Sequence, residues 1–237
     1  MHPKSFRLIR LTLTAIATFF VYVNAAVAGP PLICHAFDIG NAKSLPWISH
    51  DWSLSGGENY DTHHLANDTL AILNSSQVPL VHMETLRRAT LYAGKDPVAA
   101  KQLLLQLVAR AKSSEASPTP DAFALFDAVY LTEAYKQWLG EKGENPANGL
   151  DGFSWLKHAM QLRPSDPQMA FAAALITLHG PESEHREYTR IATADAKNDE
   201  LLKRNLATHF LGAQSQTMAE MILKNDSNRS ETKVARQ

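Results

Sequence analysis

The residues best suited to chemistry lie near the N-terminus, where a thiol, several imidazoles and several carboxylates occur close together. Cys34 and His35 are adjacent, and a thiol beside an imidazole is used in nucleophilic catalysis, metal binding and redox chemistry. The chain has a single Cys, so it contains neither a Cys-x-x-Cys motif nor an intramolecular disulfide. Neighbouring side chains on an extended segment point to opposite faces, so these two are not expected to share a ligand. We interpret Cys34 as an inert thiol; the alternatives are an intermolecular disulfide and a reactive role.

Histidines and aspartates further along the chain suggest a metal site. His50, Asp51, Asp61, His63 and His64 supply imidazole and carboxylate groups, which are common zinc ligands. Consecutive histidines diverge by about 100° around a helix, however, whereas zinc ligands on one helix usually stand four residues apart. A helix start capped by Asp61, with both histidines facing solvent, explains the same residues. We therefore predict no metal site.

An alternative hypothesis is a metal-binding protein or a metal-dependent enzyme. Its site would lie between an N-terminal arm and the first helices, and would draw on side chains from both: Cys34, His35, Asp38, His50, Asp51, Asp61, His63 and His64. At least three of these side chains would have to converge on one point for such a site to form.

The other polar residues show no catalytic pattern. The chain has no Gly-x-Ser-x-Gly turn, phosphate-binding glycine loop or His-Glu-x-x-His helix. Glu84, Arg87 and Arg88 fall on one helical turn, which is typical of an ion-paired, solvent-facing helix surface. The remaining histidines are scattered, as expected of solvated or hydrogen-bonded residues: His82, His158, His179, His185 and His209. We expect no catalytic residues, no cofactor and no enzymatic activity.

The charge balance argues against several classes of partner. The chain carries 23 Lys and Arg against 24 Asp and Glu, a net charge of −1 with neutral histidines. Nucleic acids and anionic lipids are bound chiefly through clustered Lys and Arg. We therefore expect neither as a partner.

Residues 1–28 have the three-part pattern of a secretory signal peptide. A start with three basic residues precedes an uncharged apolar run from Leu11, and small residues stand at Ala26 and Ala28. We predict cleavage after Ala28 and a periplasmic or secreted protein with no membrane span. The alternative is an uncleaved anchor, because the uncharged run of 18 residues is close to the roughly 17 to 25 that cross a bilayer.

From residue 61 onward, apolar residues fall three or four apart, which is the spacing of amphipathic helices. A polar cap before a proline marks a helix start at Asp96-Pro97, Thr119-Pro120 and Asp166-Pro167. No run of alternating β-branched residues suggests a strand. The sequence predicts an all-α fold with helices at about 61–75, 78–93, 97–112, 120–139, 150–163, 167–179, 182–196 and 199–212.

Two of the predicted helices meet at a distinctive junction in residues 152–178. Gly152, Leu156 and Ala159 lie on the first helix, Pro164 closes it, and Asp166-Pro167 opens a second helix with four closely spaced alanines: Ala170, Ala172, Ala173 and Ala174. This pattern resembles the junction between two tetratricopeptide repeats. The resemblance implies stacked antiparallel helix pairs in an α-solenoid, and a role in binding proteins or peptides.

Two further segments flank the helices. Residues 29–60 hold prolines, two Trp and the Cys without a helical period, which predicts an extended arm packed across the helices. Residues 214–237 are mostly polar, which predicts a disordered tail. The predicted organisation is a signal peptide at 1–28, the arm at 29–60, a helical repeat domain at 61–213 and the tail at 214–237. We expect an exported, non-catalytic scaffold that binds a protein or peptide.

Overall fold

Eight α-helices make up most of the part of the chain that the structure describes. The computed structural model describes residues 31–47, 57–140, 145–194 and 196–209. The helices, numbered α1 to α8 in chain order, are Leu65–Ser75, Pro79–Ala93, Pro97–Glu115, Ala122–Trp138, Phe153–Leu162, Pro167–Ile176, Glu182–Ala194 and Glu200–His209. Short 3-10 turns precede α1 at Thr62–His64 and α8 at Ala196–Asn198. None of the residues described lies in a β-strand, so the all-α prediction is confirmed.

Cap residues explain where the helices begin. Asp96 and Asp166 each accept hydrogen bonds from two backbone N–H groups in the first turn of α3 and α6, respectively. A proline follows each aspartate at the first helical position, where its missing N–H removes no intrahelical hydrogen bond. Helix α4 begins later than predicted, because Asp121 rather than Thr119 caps it by accepting the N–H of Phe123.

Helix α4 lies at the centre of the packing. It contacts α2, α3, α5 and α6, and its Phe126 and Tyr130 are fully buried. Helix α2 reaches both α1 and α6, while α6 packs closely against α7. In a linear repeat array each unit contacts only its neighbours. The helix contacts therefore establish an all-α packing but not a repeat solenoid, and the stacked arrangement stays a prediction.

The junction in residues 152–178 is closely packed. Leu156 and Ala159 of α5 are fully buried, as are the four alanines of α6. Gly152 lies against α4, because an added Cβ would stand 2.8 Å from Val129 Cγ2. The small residues at this junction therefore permit the close approach of α5 to α4 and of α6 to α7.

Residues 31–47 belong to the arm predicted at 29–60, and the name is used for them alone from here on. They consist of turns and irregular backbone and lie across the helices. Leu32, Ile33, Phe37 and Leu45 are buried and belong to the same hydrophobic core as the helices. The arm is therefore part of the folded body, because its apolar side chains complete the core.

Two of the predicted segments cannot be compared with the structure. The signal peptide, with its cleavage position after Ala28, and the tail at 214–237 both lie outside the described residues. Among the helices that are described, none is both long and apolar enough to cross a bilayer.

Replacing Phe37 should show how much the arm contributes to stability. Its ring packs edge-on against Phe171 with centroids 6.0 Å apart and stacks on His209 with centroids 4.3 Å apart. We expect Phe37→Ala to lower the free energy of unfolding by about 3–5 kcal/mol, the usual cost of deleting a buried aromatic ring. The measurement is urea denaturation followed by circular dichroism. Val98→Ala, at a residue that is 77% exposed, is the control and should change the stability by less than about 0.5 kcal/mol.

Candidate functional site

A buried carboxylate joins the arm to α2. Glu84 is fully buried, and its Oε2 accepts hydrogen bonds from the backbone N–H of Phe37 at 2.9 Å and from Arg87 Nε at 2.8 Å. Its Oε1 accepts from Arg88 Nε at 2.6 Å and from Arg87 Nη2 at 3.2 Å. Both carboxylate oxygens are therefore satisfied by charged or backbone donors, as a buried carboxylate requires.

The two arginines continue from Glu84 to the backbone of the arm. Arg87, fully buried, donates from Nη1 to the carbonyl of Ile33 at 3.2 Å, and Arg88 donates to the carbonyl of Leu45. The Arg87 guanidinium also lies over the Trp47 ring, 5.4 Å from its centroid. One ionic cluster thus contacts the arm at its beginning, middle and end.

Further side chains, from α2 and from two other helices, also bind the main chain of the arm. Tyr130 of α4 and Tyr92 of α2 donate their hydroxyls to the carbonyls of Leu32 and Pro46. Asn205 of α8 accepts from the N–H of Asp38 at 2.8 Å and donates to its carbonyl at 2.8 Å. The helices therefore recognise the arm largely through its main-chain atoms, by side-chain hydrogen bonds that do not depend on the side chains of the arm.

The sequence-based interpretation of Glu84, Arg87 and Arg88 is therefore corrected in one respect. They are ion-paired as predicted, but Glu84 and Arg87 do not face solvent. Every residue of α2 except Arg88 is buried, because other helices and the arm cover α2. Spacing on a helix predicts which side chains meet, but it does not show what packs over them.

A second buried ion pair lies between α2 and α4. His82 Nδ1 stands 2.6 Å from Asp127 Oδ1, and His82 Nε2 stands 3.1 Å from the carbonyl of Ser76. Burial lowers the pKa of His82, but the Asp127 carboxylate and the Ser76 carbonyl outweigh that effect and raise it overall. Arg110 Nη1 lies 3.8 Å from Asp127 Oδ2 and completes the cluster. Both ring nitrogens of His82 face acceptors within the fold, which gives this histidine a structural role.

His209 forms a further polar site at the end of α8, where it is half-buried. Its Nδ1 stands 2.9 Å from the carbonyl of Asn205 and its Nε2 stands 3.3 Å from the carbonyl of His35. Burial among aromatic rings lowers the pKa of His209 to about 4. This histidine is therefore neutral at pH 7.

The residues of the alternative metal hypothesis do not form one cluster in the described structure. Asp61 caps the 3-10 turn by accepting the N–H of His63 at 3.0 Å, as predicted. The side chains of His63 and His64 are 89% and 66% exposed. His50 and Asp51 lie outside the described residues. In the ranges that the structure covers, no group of three His, Cys, Asp or Glu side chains could hold a metal ion.

The arm residues of that hypothesis are bound to a different part of the molecule. Asp38 pairs with Arg204 of α8 at 2.7 Å, and the ring of His35 packs edge-on against His209. Burial raises the pKa of the partly buried Cys34 thiol, and the nearby Arg87 charge offsets this only in part. A thiol with a raised pKa is a weaker nucleophile at neutral pH, which fits the interpretation of Cys34 as inert.

Open clefts on the surface of the described residues include the following two. One of about 560 Å³ is formed where the turns before α2 and α6 meet the start of α8. Its Gln168 accepts the N–H of Leu80 at 3.3 Å and donates to Asp199 Oδ2 at 2.6 Å, so one side chain ties together three helix starts. The other, of about 400 Å³, lies between the end of the arm and the segment that leads into α1. Sequence reasoning found neither cleft, because each combines segments far apart in the chain.

Comparison with known proteins gives no matching family model, no matching curated protein and no matching solved structure.

Removing the charge of Glu84 should be strongly destabilising. Glu84→Gln keeps the size of the side chain but leaves two arginines without their carboxylate. We expect a loss of about 3–5 kcal/mol in the free energy of unfolding, the usual result of breaking a buried ion pair from one side. Glu187→Gln, which removes one partner of the exposed pair with Arg190, is the control and should cost less than about 1 kcal/mol. Equal effects in urea denaturation would contradict the central role of Glu84.

His82 and His209 should give opposite pH dependences. Because the pKa of His82 is raised, its contribution to stability is complete below the unfolded pKa of about 6.5 and is lost as the pH rises through the folded value. Because the pKa of His209 is lowered to about 4, its contribution is present above about pH 6.5 and is lost as the pH falls. Urea denaturation between pH 4 and pH 9 should therefore show that the stability lost in His82→Gln shrinks with rising pH, while that lost in His209→Gln grows. Parallel curves would contradict both assignments.

Proposed function

We propose that the protein is an exported, non-catalytic scaffold that binds a protein or peptide partner through its helical domain. The observation that carries this proposal is the way in which the helices hold the arm. Side chains of α2, α4 and α8 bind the main chain of the arm, and the core accepts its apolar side chains. Main-chain hydrogen bonds combined with pockets for side chains are also how several peptide-binding folds recognise an extended segment.

The roles of the charged residues also support this proposal. Glu84 and Arg87 bind each other and the arm, while His82 and Asp127 bind each other inside the core. These groups combine buried charge with hydrogen bonds to the fold, which stabilises one arrangement of helices. These charged groups therefore serve to stabilise the fold.

Stacking of repeat-like helix pairs is part of the proposal. The tetratricopeptide-like junction at 152–178 favours it, and the close packing of α6 on α7 is consistent with one such pair. The signal-peptide pattern of residues 1–28 supports export, so the partner would be met in the periplasm or outside the cell.

The test is affinity capture followed by reconstitution. The full-length protein with a C-terminal tag is expressed in its own host and purified from the extracytoplasmic fraction, and retained proteins are identified by mass spectrometry. We expect a defined partner that, once purified, binds in a saturable complex with a Kd below about 10 μM. An unrelated exported protein with the same tag is the control. Return of the protein alone with stoichiometric metal would overturn the proposal and favour the metal-dependent alternative.

Deleting the arm is not a suitable control for this experiment. Leu32, Ile33 and Phe37 are part of the core, so truncation would remove stability along with any binding surface. Point substitutions of exposed residues separate the two effects. Val98 and Leu105, 77% and 58% exposed and one heptad apart on α3, offer such positions for changes to lysine.

A further inference from the structure

A turn between α4 and α5 holds the one Asn-Gly pair of the chain, Asn148-Gly149. The N–H of Leu150 donates to the carbonyl of Ala147 at 3.1 Å, which closes the turn around this pair. The φ of Gly149 is +78°, whereas Asn148, like every other described residue that is not glycine, has no positive φ. A positive φ at the third residue alone is the pattern of a type II turn, in which the N–H of that residue takes no part in the closing hydrogen bond.

The residues just before the pair are packed, while the pair itself is open to water. Asn145 is buried and its Nδ2 donates to the carbonyl of Tyr135 at 3.0 Å, and Ala147 is fully buried. Asn148 and Gly149 are both exposed. A Cβ added at Gly149 would meet no atom within 4 Å. Water and base can therefore reach the peptide bond between these two residues without any movement of the core.

The other described asparagines are followed by a backbone nitrogen that is bonded or has no hydrogen. In three cases the next N–H donates to a carbonyl three residues back, at 3.1 to 3.3 Å: Asn41, Asn59 and Asn198. Three more lie within helices, where N–H groups bond to the carbonyl four residues back: Asn67, Asn74 and Asn205. Asn145 precedes Pro146, which has no N–H. The N–H of Gly149, by contrast, donates to none of the described residues.

We propose that Asn148 is a site of spontaneous deamidation, in which the backbone nitrogen of Gly149 is the nucleophile and water is the co-reactant. This nitrogen gives up its proton to hydroxide and attacks Cγ of Asn148. The N–Cγ bond forms, the Cγ–Nδ2 bond breaks, and ammonia leaves with one proton returned from water. Water then opens the resulting succinimide ring, at Cγ to give isoaspartate's isomer aspartate or at the main-chain carbonyl to give isoaspartate. Either product adds one negative charge to the turn.

Glycine favours this reaction because it has no side chain to hinder its nitrogen and because its backbone rotates freely. An N–H that is already hydrogen-bonded would have to lose that bond before its nitrogen could attack, which is the situation after Asn41 and Asn59. The modification needs no partner, so it is independent of the proposed scaffold function.

The test follows each asparagine separately in the purified full-length protein. The protein is held at pH 8, and the peptides that contain asparagine are quantified over time by mass spectrometry, in which deamidation adds about one dalton. Digestion in water enriched in heavy oxygen marks any deamidation that arises during sample preparation. We expect Asn148 to react at least about tenfold faster than Asn41 and Asn59, and to give both aspartate and isoaspartate. A tenfold ratio corresponds to about 1.4 kcal/mol in activation free energy, and a smaller ratio would overturn the proposal.

The same measurement in guanidinium chloride separates the effect of the fold from that of the Asn-Gly pair itself. Because Asn148 is exposed and the N–H of Gly149 is not bonded to the described fold, we expect folding to slow its reaction by less than about fivefold. Asn59, which precedes a bonded N–H, should be slowed more. A fivefold or greater slowing of Asn148 on folding would show that the fold protects the pair and would contradict the proposal.

Two glycine variants test the role of the Gly149 nitrogen. Gly149→Ala places a methyl group beside the nucleophile, and we expect it to slow deamidation of Asn148 at least about tenfold. Gly140→Ala is the control, because Gly140 also has a positive φ, of +71°, and an added Cβ there would also meet no atom within 4 Å. It introduces the same kind of backbone strain away from the pair and should leave the rate unchanged. Circular dichroism checks that both variants are folded, and equal effects of the two would overturn the role assigned to the Gly149 nitrogen.

Discussion

The carboxylate of Glu84 is the group on which much of the structure depends. It lies in the core and accepts hydrogen bonds from two arginines and from the backbone of the arm. A carboxylate without partners in this position would be costly, so its burial requires both arginines and the arm to be present together. The ion cluster therefore favours one register of the arm on α2, because a shift by one residue would leave donors and acceptors unmatched.

Helix α2 has buried charged residues on two of its faces. Glu84 and Arg87 face the arm, while His82 faces Asp127 on α4. A helix with charges on two buried faces is restricted in rotation as well as in position, because turning it would break hydrogen bonds on both sides. Only one residue of α2, Arg88, is not buried, and these ion pairs are what allow the charged side chains among the others to be buried. Buried ion pairs and apolar packing thus both fix the position of α2.

The helices could be predicted from sequence with good accuracy, because their signals are local. Asp96 and Asp166 cap the helices that their Asp-Pro pairs predict, and the order and number of helices agree within the described residues. The contacts of the arm could not be predicted. Glu84 and Phe37 are 47 residues apart. The smaller cleft, lined by Tyr60 and by Tyr92 of α2, forms only when α2 packs beside the segment before α1. Spacing along one helix gave no information about such distant partners.

The position of the arm in the chain has a consequence for the order of assembly. Asp38 is among the first of the described residues to be synthesised, yet it binds Asn205, which follows 167 residues later. Contacts of such long range form late, because the intervening chain must first be ordered. The part of the arm around Asp38 can therefore be fixed in place only after α8 has been made and has packed against the other helices.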